Sequence, residues 1–157
     1  MMKIGFAKDI HLLKKNIVLK LGGVTIPSKF GLVSNTDGDV VLHAVSEALL
    51  GALALGDLGQ HFPDDNDSCK NMSSSDIAKK VNELVKLKGY SISNIDVSIE
   101  LEQIKLKDYI FQIRMSIAGL FEIDMENVSV KAMTNEGMDA TGKAKACIAY
   151  AVVLVEK

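Results

Sequence analysis

The sequence has few cysteines, no long run of like charge and no long apolar run. Cys69 and Cys147 are its only cysteines among 157 residues, too few for a disulfide framework. Its 18 basic and 20 acidic residues give a formal net charge of -2, and no basic stripe is present. Proteins that bind nucleic acid through its phosphates usually carry such a stripe, so we expect no nucleic-acid partner.

The distribution of apolar residues argues against a membrane partner. Their longest concentration, from Ala44 to Leu58, is too short to cross a bilayer and contains Glu47 and Asp57. The N-terminal residues MMKIGFAKDIH lack the apolar core of a secretory signal. With so few cysteines, a reducing cytoplasm is the simplest compartment, and we expect a cytoplasmic protein.

What remains is the composition of a globular protein. Hydrophobic residues make up 48% and charged residues 24% of the chain, and both values are close to globular averages. The length corresponds to a single domain, which we place at residues 1–157. We find no internal repeat, low-complexity tract or linker that would divide it.

Hydrophobic periodicity predicts a mixture of strands and helices. Strands are expected at 2–10, 17–21, 24–26, 95–102 and 128–132, and helices at 40–55, 75–88 and 107–121. The alanine- and valine-rich segment 145–155 is compatible with a helix or a strand, and its β-branched residues favour a strand. Gly22-Gly23 is a two-residue hairpin signal between the second and third strands. Thr36 and Asp39 form a weak capping box before the first helix. Residues 27–35 and 57–72 are expected to be loops.

This order of elements predicts an α/β protein, described more closely as an α+β sandwich. Helices would cover one face of a mixed sheet. The helix that begins at Val40 is apolar on nearly all sides, which is typical of a helix buried in a core or between subunits.

Asp9, His11 and His43 can converge on one metal ion. Asp9 and His11 are two residues apart on a predicted strand, so their side chains leave the same face. His43 lies on the apolar helix, where an unpaired imidazole would cost free energy. This metal trio would suit Zn²⁺ and leave a fourth position open for substrate. The spacing also allows a structural alternative, in which the strand residues are exposed and His43 is a hydrogen-bonded core histidine.

Other polar residues near these positions have competing interpretations. Glu47 lies four residues after His43 on the same helix face. It could accept the second ring N–H of His43 and fix the tautomer, or it could be an ordinary surface glutamate. Asp37 and Asp39 are better explained by helix capping than by Mg²⁺ binding. His61 has no evident partner in its predicted loop, and we expect it at the surface.

Four segments of the chain resemble one known family in order and spacing. They are KIGFAKDIH at 3–11, LGGVTIP at 21–27, TDGDVVLHAVSEALLGALALGDLGQHFPDD at 36–65 and KAMTNEGMDATGKAKA at 131–146. The third segment closely resembles the signature of the 2-C-methyl-D-erythritol 2,4-cyclodiphosphate synthases of the non-mevalonate isoprenoid pathway. The resemblance covers nearly the whole chain, and its third segment is the most specific.

The resemblance implies a ferredoxin-like fold and a homotrimer with an active site at each subunit interface. It implies a lyase that closes 4-diphosphocytidyl-2-C-methyl-D-erythritol 2-phosphate into 2-C-methyl-D-erythritol 2,4-cyclodiphosphate and releases CMP. Physically, the reaction is phosphoryl transfer within one molecule. The protein must therefore fold the substrate back on itself and neutralise its charge.

The resemblance also implies roles for individual residues. The family's zinc ligands fall on the metal trio, and the glutamate that holds Mg²⁺ or Mn²⁺ matches Glu136. Asn35 and Thr134 match positions that act on the transition state. The positions that match substrate-binding residues are Thr36, Asp57, Gly59, Phe62, Asp64, Asn66, Leu101, Lys105, Leu106, Lys107, Ala132, Met133, Ala140 and Lys143.

Several positions depart from the family pattern. Asn35-Thr36 stands where the family usually has His-Ser, and an asparagine brings no charge to the transition state. Ile104 replaces a proline before the nucleotide loop, and Lys143 replaces an arginine of the trimer's central channel. Lys8 stands where an aromatic residue is common. One alternative is therefore a non-catalytic trimeric module that binds CDP or an isoprenoid diphosphate. Another is a different metal-dependent phosphoryl transfer on the same scaffold.

Overall fold

The computed structural model describes residues 1–69 and 71–157; Lys70, in the predicted loop 57–72, lies outside the described residues. The strands are β1 (Met2–Lys15), β2 (Leu19–Leu21), β3 (Val24–Ile26), β4 (Phe30–Leu32), β5 (Ser91–Glu100), β6 (Val128–Met133) and β7 (Ala146–Glu156). The helices are α1 (Val40–Ala52), α2 (Leu58–His61), α3 (Ser74–Leu87), α4 (Ile110–Phe121) and α5 (Asp139–Gly142). Within the described ranges, no helix has the length and apolar character needed to cross a membrane.

Five strands form one mixed sheet in the order β4-β1-β7-β5-β6, and β2 pairs with β3 in a separate hairpin. β5 and β6 are parallel, whereas β1, β7 and β5 are antiparallel neighbours. Helix α1 packs on β1 and β7, and α3 and α4 extend the same helical layer towards β6. The predicted fold class, with helices on one face of a mixed sheet, is confirmed.

The two faces of β1 differ sharply in burial. Its odd-numbered residues face α1, and Gly5 lies against that helix so closely that a Cβ there would be 1.9 Å from the Ala48 carbonyl oxygen. Its even-numbered residues face away from the helices, and Ile4 and Phe6 remain 70% and 66% exposed. The close approach of α1 places His43 beside the strand, next to the odd-numbered Asp9 and His11.

Two predicted loops contain regular structure, so those predictions are wrong. Residues 27–35 include β4, which is too short to show a pattern of its own and pairs with the end of β1. Residues 57–72 include α2, whose first turn is capped because the Asp57 carboxylate accepts a hydrogen bond from the Gln60 amide. The four-residue α5 is likewise too short for periodicity to predict.

The longer elements lie where periodicity predicts them, although their ends differ. β1 extends to Lys15 because its last three residues pair with β4. β5 ends at Glu100 rather than at residue 102, and the predicted third helix begins with a 3₁₀ turn before α4. The predicted hairpin is confirmed, since Gly22 and Gly23 have φ values of 61° and 82°, the left-handed backbone that such a turn requires.

Asp39 ties this hairpin to the start of α1. Its fully buried carboxylate accepts hydrogen bonds from four backbone amides: Gly22 at 2.9 Å, Gly23 at 2.6 Å, Val41 at 3.2 Å and Leu42 at 3.0 Å. Burial raises the pKa of this carboxyl group, while the amide donors act in the opposite direction. The predicted capping box is wrong, because the capping residue is Asp39 itself and not Thr36.

We expect Asp39→Ala to lower the free energy of unfolding by about 3 kcal/mol. The change removes a helix cap and leaves buried amide donors without an acceptor. Urea denaturation of the metal-free proteins measures the change. The exposed loop variant Asp65→Ala is the matched control and should unfold like the wild type. Equal midpoints for Asp39→Ala and Asp65→Ala would show that the buried carboxylate contributes nothing.

Candidate functional site

The metal trio converges between β1 and α1. Asp9 Oδ2 lies 3.0 Å from His11 Nε2 and 3.2 Å from His43 Nδ1, and the two ring nitrogens are 3.4 Å apart. The three side chains are half-buried, with exposed fractions from 12% for His43 to 27% for Asp9. The predicted convergence of these residues on one point is confirmed, and the alternative in which the strand residues are simply exposed is wrong.

The size and chemistry of this donor triangle fit a metal ion. Ligand atoms placed tetrahedrally at roughly 2.0–2.1 Å from Zn²⁺ lie about 3.3 Å from one another. The three separations in the trio, 3.0, 3.2 and 3.4 Å, match that edge length. One carboxylate and two imidazoles at these separations would fit three corners of a tetrahedron around Zn²⁺, with a further ligand at the fourth.

The charge state of Asp9 suits metal binding. Burial by itself would raise its pKa, but the hydrogen bonds and charges of His11 and His43 outweigh burial and lower the pKa of Asp9 to about 2. The carboxylate is therefore ionised at neutral pH in the metal-free protein. A metal ion can bind to it without first displacing a proton.

The second ring nitrogen of His43 is held by α3 and not by Glu47. His43 Nε2 lies 2.9 Å from Ser74 Oγ and 3.3 Å from Thr36 Oγ1. Glu47 instead accepts a hydrogen bond from the Leu58 amide at 2.9 Å. The prediction that Glu47 fixes the tautomer of His43 is wrong, because the first residue of α2 brings an amide donor to that carboxylate.

One side of the metal trio opens into a cavity of about 350 Å³. Its lining consists of Lys8, Asp9, His43, Glu47, Asp57, Leu58 and Gly59. The bond from Leu58 to Glu47 anchors α2 to α1, and α2 carries the segment that includes Asp57 and Gly59. Two residues matched to substrate-binding positions are thus brought next to the metal ligands.

A second cavity of about 350 Å³ lies on the side of Thr36. Its lining consists of Asn35, Thr36, Phe62, Asp64, Cys69, Asn71 and Ile77. Asn35 Nδ2 donates a hydrogen bond to Asp64 Oδ2 at 3.1 Å. This bond joins the segment before α1 to the loop after α2.

His61 has a structural partner. Its Nε2 donates a hydrogen bond to the Leu55 carbonyl oxygen at 2.8 Å, and its ring lies against Phe62 at a tilt. The expectation of a surface histidine without a partner is therefore wrong. The contact ties the end of α2 back to the turn that follows α1, so His61 supports the segment between the two cavities.

A third cavity, of about 490 Å³, lies beside β6, an edge strand of the sheet. Its lining consists of Leu101, Ile104, Lys105, Leu106, Lys107, Ile110, Ala132, Met133 and Thr134. These residues come from the turn after β5, from the start of α4 and from the end of β6. The two chain segments that the family resemblance matches to a nucleotide pocket are therefore brought together.

His11 of the metal trio and four further predicted site residues do not line these three cavities. Glu136 is exposed in the turn after β6 and has a left-handed backbone, with φ 52°. Asn66 is exposed, and its side-chain oxygen accepts hydrogen bonds from Ser68 within a turn. Ala140 and Lys143 are exposed on and just after α5.

The metal trio and the third cavity lie at the same end of the sheet but on different strands. The register aligns Asp9 with Ala149 on β7, Ala149 with Ile99 on β5, and Ile99 with Ala132 on β6. Strands are spaced about 4.8 Å apart, so three steps separate Asp9 from Ala132 by roughly 14 Å. One chain therefore carries two separate regions at this end of the sheet. We term the cavity beside the metal trio the metal half, and the third cavity, which the family resemblance matches to nucleotide binding, the nucleotide half.

Comparison with known proteins matches nearly the full length of the chain to the family that the sequence resembles. Residues 2–156 match the model of the YgbB family. A 2-C-methyl-D-erythritol 2,4-cyclodiphosphate synthase of Chlorobaculum parvum is 45% identical over 156 residues, or 99% of each chain. That of Fusobacterium nucleatum is 43% identical over 157 residues, covering 100% of this chain and 98% of the relative. A solved 2C-methyl-D-erythritol-2,4-cyclodiphosphate synthase in its CDP-bound form superposes with a TM-score of 0.92 at 30% identity, covering 98% of this chain and 100% of that chain.

The fold and the site together define a metal-binding α/β protein with a three-ligand centre at the end of a mixed sheet. The matches identify the family. The chain belongs to the YgbB family, that of the 2-C-methyl-D-erythritol 2,4-cyclodiphosphate synthases. The predicted family and the predicted enzyme class, a lyase of the cyclodiphosphate synthase type, are confirmed.

Proposed function

We propose that this protein converts 4-diphosphocytidyl-2-C-methyl-D-erythritol 2-phosphate into 2-C-methyl-D-erythritol 2,4-cyclodiphosphate and CMP. An oxygen of the 2-phosphate attacks the β-phosphorus, and the bond from that phosphorus to the bridging oxygen breaks. CMP leaves with the electron pair of the broken bond. The observation that carries the proposal is the metal trio, which opens onto a cavity that also contains Asp57 and Gly59.

We assign Zn²⁺ to the metal trio because two imidazoles and one carboxylate at tetrahedral spacing suit this ion. We assign Mg²⁺ or Mn²⁺ to Glu136, whose exposed carboxylate suits a hard cation that also takes phosphate oxygens as ligands. When bound, these ions supply Lewis-acid polarisation of the phosphates.

The chain's own polar residues have distinct roles in this proposal. Lys105 and Thr134 line the third cavity and bind the cytidine diphosphate end, with the lysine ammonium offsetting phosphate charge. Asn35 and Thr36 line the second cavity and bind near the 2-phosphate. Asn35 donates neutral N–H bonds, which are about half as strong as charge-assisted ones, so it stabilises the transition state less than a histidinium would.

We propose that the protein is a homotrimer. The sheet face away from the helices leaves large apolar side chains of β1 open: Ile4 at 70% exposure, Phe6 at 66%, Leu12 at 57% and Ile10 at 45%. Soluble monomers rarely expose large contiguous apolar patches. A cyclic trimer would cover the face and bring the metal half of one copy to the nucleotide half of the next. Light scattering should then report three times the 17.0 kDa chain mass.

We place the protein in the cytoplasm, where its two free cysteines would persist.

Mass spectrometry of the small-molecule products tests the proposed activity. The purified protein with Zn²⁺, Mg²⁺ and the CDP-linked substrate should release CMP and the cyclic diphosphate in equal amounts. Linear hydrolysis products would instead indicate a different phosphoryl transfer. An unchanged substrate that stays bound would indicate a non-catalytic CDP-binding module, an alternative that does not by itself require the complete metal trio.

A further inference from the structure

We propose that Ser74 and Asp37 are positioning residues for the metal ligand His43, an inference that rests on the metal-dependent function proposed above. Ser74 is the first residue of α3 and is fully buried. Its Oγ lies 2.9 Å from His43 Nε2. On its other side the Ser74 hydroxyl donates a hydrogen bond to Asp37 Oδ1. The start of α3 thus meets the segment from Asp37 to His43 behind the metal trio.

The direction of the hydrogen bonds follows from the ligand atom. His43 faces Asp9 and His11 with Nδ1, so a metal-bound ring carries its proton on Nε2 and must donate it. Ser74 Oγ accepts that proton and in turn donates its own to Asp37. This arrangement admits only one tautomer of the imidazole.

Asp37 is itself fixed and charged. Its Oδ2 accepts a hydrogen bond from the Ser74 backbone amide at 3.2 Å, and Lys20 Nζ lies 3.8 Å from the same oxygen. Its Oδ1 also lies 3.3 Å from the Asp39 amide. The negative charge of the Asp37 carboxylate polarises the Ser74 hydroxyl, so that this hydroxyl accepts the Nε2 proton of His43 more strongly. The ring thereby becomes a more basic metal ligand, as it does when a carboxylate partners a ligating histidine directly.

A purely structural role is the competing explanation. In that case the contact would only join the start of α3 to the segment before α1. Thr36 Oγ1 is also near the ring nitrogen, at 3.3 Å, but it already lies 3.1 Å from Ser34 Oγ. The Ser74 contact is shorter, and Ser74 has the only hydroxyl that the described contacts connect to both His43 and Asp37. Metal affinity separates the two roles, because a structural contact would alter stability alone.

The experiment titrates Zn²⁺ into the metal-free full chain in competition with a chromophoric chelator. Ser74→Ala should weaken Zn²⁺ binding by about 10- to 100-fold, the usual cost of losing such a partner. Asp37→Asn, which keeps an acceptor but removes the charge, should weaken it by about tenfold. Ser74→Thr retains the hydroxyl and should restore affinity to within about threefold of the wild type.

Ser46→Ala is the matched control. Ser46 is fully buried on α1, the helix that carries His43, and its Oγ has no hydrogen-bond partner among the described residues. This variant should bind Zn²⁺ like the wild type. Loss of affinity in Ser74→Ala with retention in Ser46→Ala and Ser74→Thr supports the proposal.

Three results would overturn it. One is a Ser74→Ala protein that melts earlier without metal yet binds Zn²⁺ as tightly as the wild type. Another is wild-type affinity in Asp37→Asn, which decides the matter if Ser74→Ala does not fold. The third is a wild-type protein that takes up no Zn²⁺ at all, which would remove the metal assignment as well. Wild-type uptake with unaltered variants would remove only the positioning role.

Discussion

The His43→Ala protein is expected to bind no stoichiometric Zn²⁺ and to lose about 10³-fold or more of its cyclase turnover. The change removes one of three ligands, and loss of Lewis-acid stabilisation costs several kcal/mol of barrier. The fold should survive, because α1 is held by apolar residues on most of its surface. Elemental analysis, CMP release and thermal melting of the metal-free protein measure the three quantities.

His61→Ala is the control for this prediction. It also removes a histidine, but His61 bonds to the Leu55 carbonyl oxygen and lies outside the metal trio. It should keep one Zn²⁺ per chain. A His43→Ala protein that retains stoichiometric Zn²⁺, or a His61→Ala protein that loses it, would contradict the assignment of the ligands.

Gly5→Ala should disrupt both stability and metal binding. The added Cβ would lie 1.9 Å from the Ala48 carbonyl oxygen and 3.0 Å from Ala52 Cβ. The Ala48 carbonyl group is part of the helix backbone and cannot move aside as a flexible side chain can. Helix α1 must therefore shift away from β1. We expect a loss of about 3 kcal/mol in the free energy of unfolding, the upper end for overpacking. Zn²⁺ affinity should fall more than about tenfold, because such sites tolerate displacements of roughly 0.5 Å.

Gly51→Ala provides the matched comparison on α1. A Cβ at Gly51 meets no atom within 4 Å, and alanine favours the helix over glycine by roughly 0.5–1 kcal/mol. This variant should therefore be slightly more stable and bind Zn²⁺ normally. Urea denaturation and chelator competition on both proteins decide the matter, and equal behaviour of the two variants would refute the role of the close contact between β1 and α1.

The local part of the site was predictable from the sequence. Asp9 and His11 share a face because of the two-residue repeat of a strand, and an isolated histidine on an apolar helix needs a polar partner. Gly22-Gly23 similarly predicts its hairpin, because two left-handed residues are required there. In each case the information lies within a few neighbouring positions.

The supporting contacts of the site depend on long-range packing. Spacing places Glu47 on the face of His43 but does not show that α2 brings the Leu58 amide to it. Ser74 reaches His43 across 31 positions, and no spacing rule joins a helix start to a residue so distant. β4, α2 and α5 are too short to carry a periodic pattern, so their existence follows from pairing and capping in the fold.

A subunit-complementation assay tests most directly the proposal that the active site is shared between two copies of the chain. His43→Ala disables the metal half, and Thr134→Ala disables the nucleotide half, which the register places roughly 14 Å away in the same chain. Each variant alone should be nearly inactive. In a mixed cyclic trimer, one interface joins the intact metal half of one copy to the intact nucleotide half of its neighbour.

Co-expression of equal amounts of the two variants should therefore restore about a quarter of the wild-type sites, the fraction expected for random mixing in a cyclic trimer. Pairing His43→Ala with His11→Ala, which disable the same half, should restore none. CMP release per chain is the measurement. Recovery near a quarter is the predicted result, and activity no higher than the sum of the separate variants would contradict a site shared between two copies.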